Sequence, residues 1–541
     1  MNKLSQWFDS TISDFYRSFR WSFLPPLMVY FAAGLSGMTA IVGTFFVKEY
    51  LGLSASFLAG LVFWAGLPWA LKMPLGHLVD IIWRWKSYLV LLGAGLITTS
   101  LLIMFGLIQY PAAAAEIMPI ESWFVLSVIL APCRYVIQDS VADAMSVEAV
   151  PRLDEARNKI NDEVSKALHT TMQTLGRIAL VTGLIAVALL NIFMFDGVET
   201  LSAAGKADVY GSLYLIALII PAVSISGVAL AAVLKRKRRL ELMRRGYDRA
   251  AISAELDQHI DVVEPNHWYF TGGLAFAIVA VLLGVWNVPF SKEIVFVSSF
   301  TIVVWLIFQL VKELDPATAR ALFGTAIIIF VFRAVPLPGP GLTWFEIDVL
   351  GFDQQFLSVL TLIISILTLV GMVVLRPLMA KKSIAYIVVL LSVVSAVLSL
   401  PNIGLFYGIH HWTANLTGGV VDARFIALID AAIESPLGQI AMIPMLAWIA
   451  KNAPVKLKAT FFAVMASFTN LALSASGLLT KYLNDYFLIT REVRNRATGI
   501  IEISADYSAL GWLLILTAVI VMVAPLLTIL VIQNSRLRTS S

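Results

Sequence analysis

The residues of this 541-residue chain that could do chemistry are charges set inside long apolar stretches. WFVLSVILAPCRYVIQDSVADAMSVEAV, residues 123–150, holds Arg134, Gln138, Asp139 and Asp143, with Glu148 near its end. At helical spacing Arg134 and Gln138 share one face, and Asp139 and Asp143 share another. DARFIALIDAAIESPLGQIAMIPMLAWIA, residues 422–450, holds Asp430 and Glu434 four apart, followed by Gln439. A charge at the centre of a bilayer costs about 2.5–3.5 kcal/mol on insertion scales, so such residues face protein or a water-filled cavity. An arginine placed there can bind an anion. A carboxylate placed there can carry a proton, because burial favours its neutral form. Glu434, Asp430 and Asp139, in that order, are the candidates for that role. His169, Gln173 and Arg177 form a third stripe, spaced by four. Arg177 either pairs with Asp139 or contacts an anionic solute. Ser467, Asn470 and Ser474 form a fourth stripe, which serves as helix–helix glue or as a solute contact. Arg333, near the end of another apolar run, either snorkels to the interface or binds an anion.

The elements that position these residues must be membrane helices. Of the residues, 59% are hydrophobic and 14% charged, and the mean hydropathy is +0.84. No soluble core absorbs so much apolar sequence, so lipid is the solvent for most of it. Fourteen spans of suitable length lie near 24–46, 55–73, 87–109, 122–146, 166–192, 210–234, 268–288, 293–312, 318–338, 353–375, 383–400, 423–450, 457–482 and 508–533. With both termini cytoplasmic, 27 of the 39 Lys and Arg collect on the inner side, eight on the outer side and four within spans. That asymmetry follows the positive-inside rule. The block KRKRRLELMRRGYDR at 235–249 is its strongest contribution and reads as a topology anchor. Residues 1–23, with Trp7, Phe15, Phe19 and Trp21 beside Arg17 and Arg20, read as a cytoplasmic interfacial segment.

An internal repeat organises the spans. FFVKEYLGLSASFLAGL from Phe45 and WFEIDVLGFDQQFLSVL from Trp344 align without gaps, with six identities in seventeen positions. Ser54 and Asp353 coincide in this alignment, each a good N-cap for the helix that follows. Both segments link an odd-numbered span to the next on the same side, so the halves repeat in parallel, as in six-plus-six transporters. The expected layout is a six-helix bundle over 24–234, a basic cytoplasmic loop over 235–267, two inserted helices over 268–312, a second bundle over 313–533 and a cytoplasmic tail over 534–541. The repeat offset of 299 puts Arg134 opposite Ile433, beside Glu434, which predicts similar depth for the two charges and a shared central cavity.

Other classes find little support. The six His are scattered apart from His410-His411, with no His-Glu-x-x-His, so neither a metal site nor an enzyme is expected. There is no Walker A motif for ATP and no basic nucleic-acid recognition fold. The single cysteine, Cys133, allows no intramolecular disulfide. No cofactor is implied.

Gly76 and Asp80, followed by Arg84 and Lys86, fall in the turn expected between the second and third spans. They resemble the Gly-x-x-x-Asp loop signature of the major facilitator superfamily, with Ile81 where that pattern has a basic residue. With Glu148 they form a candidate cytoplasmic gate. Its second-half counterpart, LRPLMAKKS, has Arg376, Lys381 and Lys382 but no Asp, which predicts a one-sided latch. Further segments widen the likeness: YFAAGLSGM with KEYLGLSASF, PWALKMPLGHLVD with KSYLVL, QDSVADAMSVEAV, and LIDAAIESPLGQIAMIPMLAWIAKNAP through KATFFAVMASFTNLALSASGLLTKYLN. Together they resemble the folate-biopterin transporter family within the major facilitator superfamily. The pattern Asp-x-x-x-Asp-x-x-x-x-Glu, met by Asp139, Asp143 and Glu148, is the most specific element. The resemblance implies an all-α membrane fold and a small organic, folate- or pterin-like solute. The extra pair of helices departs from that family's twelve-helix core. A more distant likeness is to muropeptide permeases, which share Gln-Asp-x-x-x-Asp and fourteen spans.

The expected function is secondary active transport of an anionic organic solute by alternating access, with proton symport, in the plasma membrane (the inner membrane of a Gram-negative cell). A muropeptide-type permease and a non-transporting receptor on a transporter fold are the alternatives.

Overall fold

The computed structural model describes residues 20–51, 53–70, 72–82, 85–150, 162–249, 288–311, 316–374, 383–434, 458–494 and 501–538, with isolated positions at 252, 256, 278 and 282–283. Among the described residues, eight helical stretches are long and apolar enough to cross a membrane. Most of the first inserted span, 268–288, and the latter part of the 423–450 span lie outside them.

The first span is α1 (Leu24–Leu35), which passes through a tight turn at Ser36–Thr39 into α2 (Ala40–Tyr50). Pro25 and Pro26 occupy its first turn, where a missing N–H costs nothing. The second span is α3 (Ala55–Ala70), and α4 (Lys72–Ile81) comes next in the chain. There follow α5 (Lys86–Gln109), the short α6 (Pro111–Ile117), α7 (Ile120–Ala149) and α8 (Asp162–Met194). Next are α9 (Ala203–Ile216) and α10 (Ile219–Arg244).

The remaining helices are α11 (Ser291–Val311), α12 (Pro316–Ala334), α13 (Pro340–Asp348), α14 (Gln354–Val374) and α15 (Ile384–Leu398). They continue as α16 (Leu400–Phe406), α17 (Ile409–Leu416), α18 (Ala423–Glu434) and α19 (Lys458–Tyr486). A small antiparallel hairpin, β1 (Val493–Arg494) with β2 (Ile501–Ile503), precedes α20 (Leu510–Gln533).

Three expectations are corrected. Residues 72–81 form a helix, where a turn was expected; between Pro74 and Ile81 only Gly76 opposes helix. The basic block begins as a continuation of α10 to Arg244, helped by Arg238–Glu241 and Glu241–Arg245 pairs at helical spacing. The span read as 210–234 is two helices that meet at Ala217 and Leu218.

The repeat is visible in the caps. Phe57 N donates to Ser54 Oγ at 3.0 Å, and Phe356 N donates to Asp353 Oδ1 at 2.7 Å. These equivalent side chains open α3 and α14. The packing of the two helices is also equivalent: α3 lies against α19, and α14 lies against α8. In each seam the helix opened by one copy of the repeat meets a long helix from the other part of the chain. Around it, α5 packs on α7, α9 and α10, while α12 packs on α15, α19 and α20. Helix α11 covers the α3–α19 seam, where Phe63, Val295 and Leu478 form one buried cluster.

Close helix contact positions the interior. A side chain at Gly34 would begin 2.0 Å from Leu180 O, and one at Gly183 would begin 2.5 Å from Phe31 O. Only glycine allows α1 and α8 this approach. Gly176 likewise leaves room for the Tyr30 ring against α8.

Candidate functional site

Lys72 lies on α4, which packs beside α7. Its Nζ donates to Asp139 Oδ2 at 2.6 Å and to Asp143 Oδ2 at 2.9 Å. The two aspartates lie one turn apart on α7, so one ammonium reaches both. Tyr30 OH, brought in by the α1–α8 crossing, donates to Asp143 Oδ1 at 2.8 Å. Arg177 on α8 lies within electrostatic reach of Asp139 and Tyr30. Two carboxylates thus face two cations. The cluster is only partly covered, with side-chain exposures of 19% for Lys72, 29% for Asp139 and 44% for Asp143.

The aspartates were legible in the sequence, but their partners were not. Asp139 has Lys72 as a salt-bridge partner, with Arg177 in electrostatic reach. The one clue was a lysine at the end of an apolar span, in ALKMPLG. Tyr30, in an ordinary apolar run, gave no signal.

Five residues before Asp139, Arg134 is wholly buried. Its guanidinium lies 4.0 Å from the centroid of the neighbouring Tyr135 ring, and the Tyr135 hydroxyl donates to Ala33 O at 2.7 Å. Among the described residues, none of the three Arg134 nitrogens has a hydrogen-bond partner. An uncompensated buried charge is destabilising by several kcal/mol. Gln138 turns to α5, where Nε2 donates to Val90 O at 3.2 Å and the side chain fills the space over Gly93.

In the second half, Asp430 is buried and accepts from Asn402 Nδ2 at 3.2 Å. Glu346 of α13 lies within its electrostatic reach. The Glu434 side chain lies outside the described residues, and with it the expected Arg134–Glu434 neighbourhood. Arg333 is half-buried in the last turn of α12, and Asn470 is half-buried on α19. Ser474 of α19 packs directly over Gly66 of α3, a small-residue helix crossing.

Two of the predicted gate residues meet. Lys86 Nζ lies 2.6 Å from Glu148 Oε2, and Lys235 Nζ lies 3.8 Å from Glu148 Oε1. This joins the start of α5, the end of α7 and the basic stretch of α10 at what we call the basic end. Gly76 and Asp80 sit in α4, with side chains outside the described residues, as is Arg84 altogether.

The model of the BT1 family matches residues 33–540, nearly the whole chain. This chain belongs to the BT1 family. A folate-biopterin transporter from Synechocystis sp. is 23% identical to this BT1-family chain over 471 residues, covering 86% of it and 75% of the relative. The chain is therefore a multi-pass membrane transporter and not an enzyme. Solved structures with a similar fold include a POT family transporter in complex with 5-aminolevulinic acid (TM-score 0.58, 14% identity, 94% and 95% of the two chains covered). A structure described for substrate recognition in proton-dependent oligopeptide transporters gives a TM-score of 0.56 at 15% identity, covering 96% and 98%. The nucleoside transporter NupG gives 0.51 at 12% identity, covering 95% and 99%. At such identities the likeness speaks for the fold alone, an all-helical fold shared with these transporters.

Proposed function

We propose that this BT1-family transporter moves an anionic organic solute of the folate or pterin kind by alternating access, driven by a proton. The observation that carries this reading is Arg134, a buried guanidinium half-way along α7 whose donors have no partner among the described residues. A bound carboxylate would satisfy it, and a planar ring system could pack beside Tyr135. The Lys72–Asp139–Asp143–Tyr30 cluster supplies the coupling element. Protonating either aspartate weakens its bond to Lys72 and frees that cation for the solute. Asp430 and Glu434 are the second-half candidates for carrying the proton.

In this reading the basic end faces the cytoplasm of the plasma membrane. The units are 24–234 and 313–533, with 268–312 inserted between them. The Lys86–Glu148–Lys235 contact acts in the cytoplasmic gate together with Gly76, Asp80 and Arg84. Gln138, Arg177, Arg333 and Asn470 complete the set of residues proposed to line or support the solute path.

The test is uptake into proteoliposomes of folates, pterins and peptidoglycan fragments, with and without a proton gradient. Folate or pterin accumulation that requires the gradient supports the proposal. Accumulation of peptidoglycan fragments alone points to a muropeptide permease, and absence of all uptake points to a receptor. Glu434→Gln is expected to keep solute exchange while losing gradient-driven accumulation. Unchanged accumulation would remove Glu434 from the coupling role.

A further inference from the structure

The end of the bundle opposite Glu148 carries the β-hairpin, and there the two halves touch through polar side chains. Gln354 Nε2 of α14 donates to the buried Tyr210 hydroxyl of α9 at 2.7 Å, and Gln355 Nε2 lies 3.3 Å from Asp196 Oδ1. The third contact is Arg491, in the segment that leads from α19 into the hairpin. Its Nη1 donates to Leu53 O, in the linker between α2 and α3, at 3.2 Å.

Arg491 differs from the two glutamines. It is charged, it is only 2% exposed, and its Nε and Nη2 have no hydrogen-bond partner among the described residues. Its guanidinium lies 4.7 Å from the centroid of the Trp344 ring of α13. Burial pulls its pKa down to about 10, opposed by Tyr507 and Asp348, so it stays charged at neutral pH. The backbone beneath it is fixed. Thr490 and Asp506 exchange backbone hydrogen bonds at 3.2 and 2.9 Å, and Ile489 is buried under Gly341. The hairpin is thus a platform in the second half that holds one arginine against a backbone carbonyl of the first.

We propose that Arg491 is the latch of the hairpin end. Its bond to Leu53 O holds the seam shut, and the Trp344 ring of its own half positions the guanidinium for that bond. Its unsatisfied donors make the closed state easy to leave, because opening gives them water and leaves Asp348 and Tyr507 nearby on the same half. The latch is thereby poised to release, where a fully bonded arginine would lock the seam. This proposal rests on the alternating-access reading.

The test is the distance across the hairpin end, read by electron–electron resonance between spin labels at Leu201→Cys and Val420→Cys. Both positions are exposed loop residues of this end, one in each half. The background carries Cys133→Ala, which removes the native thiol, and each variant is first checked for monodispersity in detergent. Arg491→Gln is expected to raise the long-distance fraction about fivefold, the loss of one hydrogen bond. Arg491→Lys keeps a donor for Leu53 O and is expected to restore most of the parent distribution. Gln354→Ala, which breaks another contact of this end, separates the two ideas. If Gln354→Ala lengthens the distance and Arg491→Gln does not, the latch falls and alternating access stands. If every variant and the parent share one unchanging distance, both fall. A shift of Arg491→Gln toward shorter distances also overturns the latch.

Discussion

Arg134 and Arg491 are both buried, both lie against an aromatic ring, and both have guanidinium nitrogens without a partner among the described residues. They differ in where the chain anchors them and in what they reach. Arg134 sits half-way along α7 and bonds to nothing described. Arg491 sits at the hairpin end and bonds across the seam to Leu53 O. Burying a cation in this way is costly, so stability alone does not account for either. The difference teaches a division of labour. An arginine with no partner inside the bundle is free to receive an anion. An arginine with one partner across a seam is built to let go of it. The Lys72 cluster is a third case, a cation with two carboxylates and little left to offer until one of them is protonated.

The comparison can be broken most severely at Arg134. Arg134→Met is expected to lower solute uptake on the order of a hundredfold, the usual scale for truncating one partner of a buried charge contact. The same change is expected to raise the stability of the detergent-solubilised protein by about 1–4 kcal/mol, because a buried charge is replaced by apolar volume. Uptake and thermal unfolding of the same preparation check both. Loss of uptake together with loss of stability would instead make Arg134 a structural residue.

Lys72→Met should act in the opposite sense on stability. It leaves Asp139 and Asp143 side by side without their shared cation. The expected cost is about 1–3 kcal/mol, below the cost for a sealed pair because the cluster is partly exposed. Adding Asp139→Asn should recover much of it. No recovery in the double variant would mean that Lys72 acts through packing alone.

The smallest expected effects concern the repeat. Asp353→Ala and Ser54→Ala each remove the N-cap of a seam helix, at about 0.5–2 kcal/mol. Asp353→Ala should cost more, because Asp353 also holds Arg424 at 2.8 Å. Equal costs in thermal unfolding would show that the ion pair adds nothing.

The sequence carried those features whose cause is local. Ser54 and Asp353 were legible as caps, because a cap is a matter of a few consecutive residues. The charged face of α7 was legible, because charge in an apolar helix stands out whatever surrounds it. The α4 helix differs from the turn expected there, since a Gly-x-x-x-Asp signature outweighed a stretch in which Gly76 alone opposes helix. The partners of Asp139 and Asp143 were not legible, because they depend on how α1, α4 and α7 meet, and a Tyr30 flanked by apolar residues looks like core. Arg491 was invisible for the same reason. Its meaning comes from Leu53, more than four hundred residues earlier in the chain.

The central claim is that Arg134 receives an anionic solute inside the bundle. Its most direct test is saturable binding of radiolabelled folic acid and of a neutral pterin to the purified protein, for the parent, Arg134→Lys and Arg134→Met. The account predicts that the parent binds folate, that Arg134→Lys binds it more weakly, and that Arg134→Met loses folate while keeping any affinity for the neutral pterin. Folate binding by Arg134→Met at the parent's affinity would contradict it.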